Sequence, residues 1–135
     1  MKGLLAIAVI CVCLAPISAS AHHSLAAYTM SRYKTVDGTV KSFEWTNPHA
    51  KLTLVVADAN GRTINWNFEG GSIGRLTSGG FIKDAILPGD KIKVAYNPRR
   101  DNGIGGFFIA ATTAEGTTYS IDRFKQLKGG GSGEP

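Results

Sequence analysis

The chain has 135 residues, of which 43% are hydrophobic and 19% charged, with 15 Lys+Arg against 10 Asp+Glu. That length supports one small domain with a core and is too short for two. Both cysteines, Cys11 and Cys13, fall in the N-terminal apolar stretch, so the rest of the chain carries no disulfide and no thiolate ligand.

Met1-Lys2 reads as a short positive start, Leu4 to Leu14 as an apolar stretch, and Ala19-Ser20-Ala21 as a small-residue cleavage site. This pattern predicts a secretory signal peptide over residues 1–21 rather than a transmembrane helix, because the apolar run is too short and a cleavage site follows it. Ile10 and Val12 precede the cysteines where a lipoprotein signal needs a small residue, so lipidation is discounted. Cleavage after Ala21 exposes His22 as the new N-terminus; cleavage after Ala19 would place His22 third. The expectation is a periplasmic or secreted protein with no membrane span after processing. Lys2 is the only charged residue removed, so the mature chain stays basic, with Lys91, Lys93, Arg99, Arg100, Arg123, Lys125 and Lys128 late in the sequence. A basic surface attracts polyanions, but export argues against nucleic acid, and scattered charge also serves solubility.

Residues 22–34 form a weakly patterned lead-in. Residues 35–128 read as the folded domain and 129–135 as a glycine-rich flexible tail. Thr35 to Thr46 reads as a long strand with Val36, Val40, Phe43 and Trp45 as apolar members. Its parity changes between Val40 and Phe43, which predicts a bulge or bend, and Gly38 sits where a strand coils sharply. Asn47-Pro48 ends it. His49 to Ala57 alternates, with Leu52, Leu54 and Val56 on one face. Asp58-Ala59-Asn60-Gly61 signals a hairpin turn, and Arg62 to Glu69 returns with Ile64, Trp66 and Phe68 on one face, Asn67 and Glu69 on the other. Ser72 is placed to cap a short helix from Ile73 to about Ser78, ended by Gly79-Gly80, with Ile73 and Leu76 buried. Pro88-Gly89-Asp90 is a turn. Lys91 to Tyr96 is a fourth strand with Ile92, Val94 and Tyr96 inward. Asn97 to Gly106 reads as a loop, Phe107 to Thr113 as a fifth strand and Thr117 to Ile121 as a sixth.

A bent first strand, and a helix between the third and fourth strands, predict an all-β fold with one short helix: a small OB-like β-barrel of five or six strands. Leu52, Leu54, Val56, Ile64, Trp66, Phe68, Ile92 and Val94 are its expected core.

The motifs His22-His23-Ser24, Glu44-Trp45-Thr46-Asn47-Pro48-His49 and Trp66-Asn67-Phe68-Glu69 occur in this order. Leu87-Pro88-Gly89-Asp90 and Asn97-Pro98-Arg99-Arg100-Asp101-Asn102-Gly103 follow them. In these the chain resembles a family of small exported bacterial proteins known only as a domain of unknown function. The likeness covers nearly all of the mature chain. Lys51 stands where that family's pattern usually has an aromatic residue, and Phe81 where it often has tryptophan. The resemblance implies export and a small β-barrel, and carries no activity.

All three histidines lie in two of those motifs. A free His22 offers both an α-amine and an imidazole, and His23 or His49 supplies further nitrogen. Such a set suits Cu(II), which favours tetragonal N/O coordination. The alternative N-terminus, with histidine third, also chelates Cu(II) or Ni(II). The metal residues are therefore expected to be His22, His23 and His49. Glu44, Asn47, Asn67 and Glu69 are expected as a supporting shell or as ligand contacts. Trp45 and Trp66 are candidates for stacking a flat ligand, though Trp66, in phase with Ile64 and Phe68, reads as packing. Arg99 and Arg100 are candidates for gripping an anion. No nucleophile or second motif supports an enzyme. The expectation is a metal-binding protein with copper as cofactor; the alternative is a metal-free interaction module for an envelope partner or anionic ligand.

Overall fold

The computed structural model describes residues 25–121. Six strands and one helix follow in chain order: β1 (Lys34–Glu44), β2 (Lys51–Ala57), β3 (Thr63–Glu69), α1 (Ile73–Ser78), β4 (Lys91–Pro98), β5 (Gly106–Thr113) and β6 (Thr118–Ser120). The sheet order is β3-β2-β1-β4-β5-β6, and every neighbouring pair is antiparallel. A parallel pairing of Phe68 with Gly106 and Glu69 with Phe107 joins β3 to β5 and closes five strands into a ring.

The ring depends on β1 serving two neighbours. Its first half, Lys34 to Thr39, pairs with β4; its second half, Thr39 to Glu44, pairs with β2. The expected irregularity is there, as a register shift between Val40 and Ser42. An added Cβ on Gly38, at the handover, would lie 3.0 Å from the Val55 carbonyl, so the strands cross too closely for most side chains. The β2–β3 hairpin forms as its alternation requires. Its turn is closed by Gly61 N–H donating to Asp58 O at 2.9 Å and Asp58 N–H to Arg62 O at 2.8 Å.

Helix α1 starts and stops at the residues that the sequence marks. The Ser72 hydroxyl accepts from Arg75 N–H at 3.3 Å. At the other end Gly80, at φ 87°, takes the left-handed conformation that favours glycine. There Gly80 N–H donates to Thr77 O and Phe81 N–H to Leu76 O, both at 3.0 Å. This is a Schellman motif, and its paired apolar residues, Leu76 and Phe81, are both fully buried. Phe81 then packs on Phe108 and Tyr119, while Phe43 reaches Trp45, Phe81 and Phe108. A second aromatic group joins Trp66, Phe68 and Tyr96.

Several expectations need correction. Ile64 is 42% exposed and outside the core, and Val56 and Trp66 are only half-buried, because the turn end of the β2–β3 hairpin extends past the closing β3–β5 pairing. Ile73 is half-buried; Leu76 is the one buried residue of the helix. Trp45 lies beyond the end of β1. The loop expected from Asn97 is strand as far as Pro98, and β4 shifts register between Ala95 and Tyr96, which buries Ala95, Tyr96 and Asn97 together. Strand β5 is buried from Gly106 to Ala111 on both faces. The signal peptide, His22, His23, Arg123, Lys125, Lys128 and the tail lie outside the described residues.

Leu54 is fully buried, so Leu54→Ala should lower unfolding free energy by ~2–5 kcal/mol. Ile64→Ala should move it by under about 1 kcal/mol, in line with other exposed positions. Denaturant midpoints of the two variants check both; equal losses would put Ile64 in the core after all.

Candidate functional site

Three strand ends and the lead-in meet at one end of the hairpin. Residues Glu44, Lys51 and Glu69 face one another in register across β1, β2 and β3. Beyond Lys51, Ala50 continues the pairing: its N–H donates to Gly71 O at 3.1 Å, and Gly70 N–H donates to Ala50 O at 2.7 Å. Gly70 is buried, and a Cβ there would lie 2.2 Å from the Phe108 ring, so only glycine lets the chain turn here. This packing holds the Gly70 carbonyl and the Glu69 carboxylate beside His49.

The His49 Nδ1 lies 3.0 Å from Gly70 O and 3.3 Å from Glu69 Oε1. A backbone carbonyl only accepts, so Nδ1 must carry the proton and donate. In the neutral ring that leaves the lone pair on Nε2. The imidazole and Glu69 side chains are 24% and 26% exposed, accessible yet held.

The other oxygen of Glu69 is also engaged. Tyr28 Oη donates to Glu69 Oε2 at 2.9 Å. Tyr28 belongs to the lead-in, which is not a loose arm at this point. Tyr28 forms a β-bridge with Arg99, Thr29 N–H donates to Pro98 O at 2.8 Å, and Arg100 N–H donates to Ala27 O at 2.9 Å. The Arg100 Nε donates to Tyr28 O at 3.1 Å, and the Tyr28 ring packs on Phe107. Burial, reinforced by the bond to Glu69 and its charge, pushes the Tyr28 phenol up to about 12.

A cleft of about 640 Å³ opens over this cluster, its walls including Tyr28, Glu44, His49, Asn67, Glu69 and Arg99. The expected supporting residues divide within it. Glu69 touches His49 directly. Asn67 shares its strand face and accepts from Thr53 Oγ1 at 3.1 Å. Glu44 is exposed and pairs with Lys51 Nζ at 3.9 Å, one strand away from Glu69. Asn47 works on the helix: its Oδ1 accepts from Ile73 N–H at 3.0 Å, a second cap beside Ser72. Arg99 is held by Asp101 at 2.9 and 2.6 Å. That contact, with Gly103 N–H, draws the Asp101 carboxyl down to about 2. Arg100 is a tie to the lead-in backbone.

Sequence reasoning missed Tyr28 and the Gly70 carbonyl. Tyr28 stands in a segment without periodicity, where nothing marks a side chain that reaches a strand distant in sequence. Among the described residues no group of three or more His, Cys, Asp or Glu side chains converges as a metal cage. No described helix is long and apolar enough to cross a membrane.

The fold and site define a mostly antiparallel β domain with a half-buried histidine–carboxylate pair in an open cleft. The chain belongs to a family of unknown function, DUF6152, whose pattern matches residues 8–108. That match includes the lead-in, the Glu44–His49 block, Glu69 and the Arg99-Arg100 pair. No match is found among curated proteins.

The raised Tyr28 phenol means that its neutral form is favoured by folding. This contribution is fully present below pH 10 and is lost as pH rises from 10 through about 12. Stability should therefore fall across that window, and by less in Tyr28→Phe. The difference in tyrosinate absorbance between wild type and Tyr28→Phe should titrate near 12, and lower in Glu69→Gln. A difference curve centred at 10 in both backgrounds would remove the Tyr28–Glu69 bond from the account.

Proposed function

We propose that the protein is an exported OB-like β-barrel that binds copper between its mature N-terminus and His49. The ring order, with its helix between β3 and β4, supports the OB-like reading. In such folds the β2–β3 face and adjoining loops hold ligands, and the His49 cleft lies on that side.

The observation that carries the metal reading is the fixed Nδ1–H of His49. Metal-binding histidines typically donate one ring nitrogen to a carboxylate or backbone carbonyl, which orients the ring and leaves the other nitrogen for the metal. His49 donates to the Gly70 carbonyl, with the Glu69 carboxylate 3.3 Å away. The second support is Tyr28. It ties the lead-in to the same carboxylate; Tyr28 closes a turn on Leu25, and His22 stands three positions before Leu25, a further reach of up to ~10 Å. In this reading His22 offers its α-amine and Nδ1 alongside His49 Nε2, with His23 as a further donor. Three nitrogens of this kind suit Cu(II). Glu69 acts as the support that orients His49, and Asn67 and Glu44 as polar walls of the cleft. The export step, the start at His22 and the periplasmic or secreted location belong to this reading.

Copper titration by calorimetry tests it, using protein whose start at His22 is verified by intact mass. One Cu(II) should bind with an affinity that falls on acidification, because every nitrogen donor must be deprotonated. An alanine retained before His22 should weaken binding at least tenfold, and so should His49→Ala. Glu69→Gln should cost about 10–100-fold, as for other supporting partners of metal-bound histidines. Equal affinities across all four proteins would overturn the copper site. The metal-free module for an envelope partner or anionic ligand would then take its place.

A further inference from the structure

On the far side of Arg99 from the His49 cleft lies a second cleft, of about 390 Å³. It is lined by Thr29, Arg32, Lys34, Pro98, Arg99, Arg100 and Asn102. It exists because the lead-in is strapped to the end of β4, through the Thr29–Pro98 and Ala27–Arg100 backbone bonds. The Asn97 side chain fixes the strap further along, donating Nδ2–H to Arg32 O at 2.7 Å from a fully buried position. Arg32 of the lead-in and Lys34 at the start of β1 thereby meet Arg99 and Arg100 of the β4–β5 loop, although they are distant in sequence.

Four cations line one small concavity, and only Arg99 has a carboxylate, Asp101, within ion-pair distance among the described residues. Arg32, Lys34 and Arg100 have none among the described residues. Like charges gathered without counter-charge repel one another, and a bound anion relieves that repulsion. The guanidinium groups offer planar forks that match phosphate oxygens, and Lys34 adds a point charge. The Thr29 hydroxyl and Asn102 amide supply neutral donors on the same wall. A single carboxylate would leave most of this charge unmatched; a phosphate-bearing group, with more oxygens and more charge, fits it better.

We propose that this cleft is a phosphate-binding site formed by Arg32, Lys34 and Arg100, with Arg99 as the wall it shares with the His49 cleft. The site is independent of copper. The group it takes is a phosphate or diphosphate, either free or carried on a lipid.

The test uses full-length processed protein and the double variant Arg32→Gln/Lys34→Gln. Both substituted side chains are exposed and make no side-chain hydrogen bond or ion pair among the described residues, so thermal unfolding should be unchanged. Inorganic pyrophosphate is titrated by calorimetry, and vesicles with and without phosphatidic acid are tested by co-sedimentation. A free ligand predicts pyrophosphate binding that is at least tenfold weaker in the variant. A lipid-borne one predicts retention on phosphatidic acid vesicles alone, lost in the variant. Either result supports the site, and both should weaken as salt rises. No binding of either probe, or equal binding by wild type and variant, would overturn it. Copper affinity should be the same in wild type and variant, which keeps this test separate from that of the His49 site.

Discussion

The candidate site depends on one carboxylate with two duties. Glu69 accepts the Tyr28 hydroxyl on one oxygen at 2.9 Å and sets the other 3.3 Å from His49 Nδ1, whose proton goes to the Gly70 carbonyl at 3.0 Å. The bond pins the lead-in to the ring; the contact sets the carboxylate's charge beside an imidazole that Gly70 holds. Neither duty is open to a residue elsewhere on the hairpin. Glu69 is the last residue of β3, where β3 also pairs with β5 and the chain turns through Gly70. The ring closure thus sets the position of the carboxylate, and the carboxylate sets the two groups that make the cleft.

This arrangement links the N-terminal segment to the β2–β3 hairpin. The Gly70 carbonyl reaches His49 because Gly70 has no side chain to collide with Phe108, and Phe108 is itself fixed by Phe43 and Phe81. Phe81 is held by the helix stop, where Gly80 turns the chain back and Leu76 packs beneath it. A contact chain therefore runs from a glycine cap in α1, through the aromatic core, to the orientation of one imidazole. Arg99 stands on the other side of the lead-in bridge and lines both clefts. The strap that Tyr28 anchors thus shapes a histidine site on one side and a basic site on the other.

Much of the fold was legible in the sequence, where local physics dictates structure. The hairpin followed from strict alternation around Asn60-Gly61, the helix from Ser72 and Gly79-Gly80, and the bend in β1 from its change of parity. The errors fall where tertiary closure overrides pattern. Ile64 has the right phase for the core but lies past the point where β3 meets β5. Asn97 begins a polar, glycine-containing stretch, yet is fully buried because β4 continues and its side chain binds the Arg32 carbonyl. At the site, His49, Asn67 and Glu69 were visible as polar residues in or beside regular strands. Tyr28 was not, because its role is set by a bridge to Arg99 that no periodicity announces. Asn47 was visible as polar, but its bond to the Ile73 N–H, which caps α1 across the gap between β1 and β2, was not.

The central claim is that Glu69 and Gly70 fix His49 as the Nδ1–H tautomer with Nε2 available. Nitrogen-15 NMR of the His49 ring in the metal-free protein, near neutral pH, measures this directly. The account predicts a protonated, hydrogen-bonded Nδ1 and an unprotonated Nε2, with that preference weakened in Glu69→Gln. A ring protonated at Nε2, or one exchanging freely between tautomers in wild type and variant alike, would contradict it.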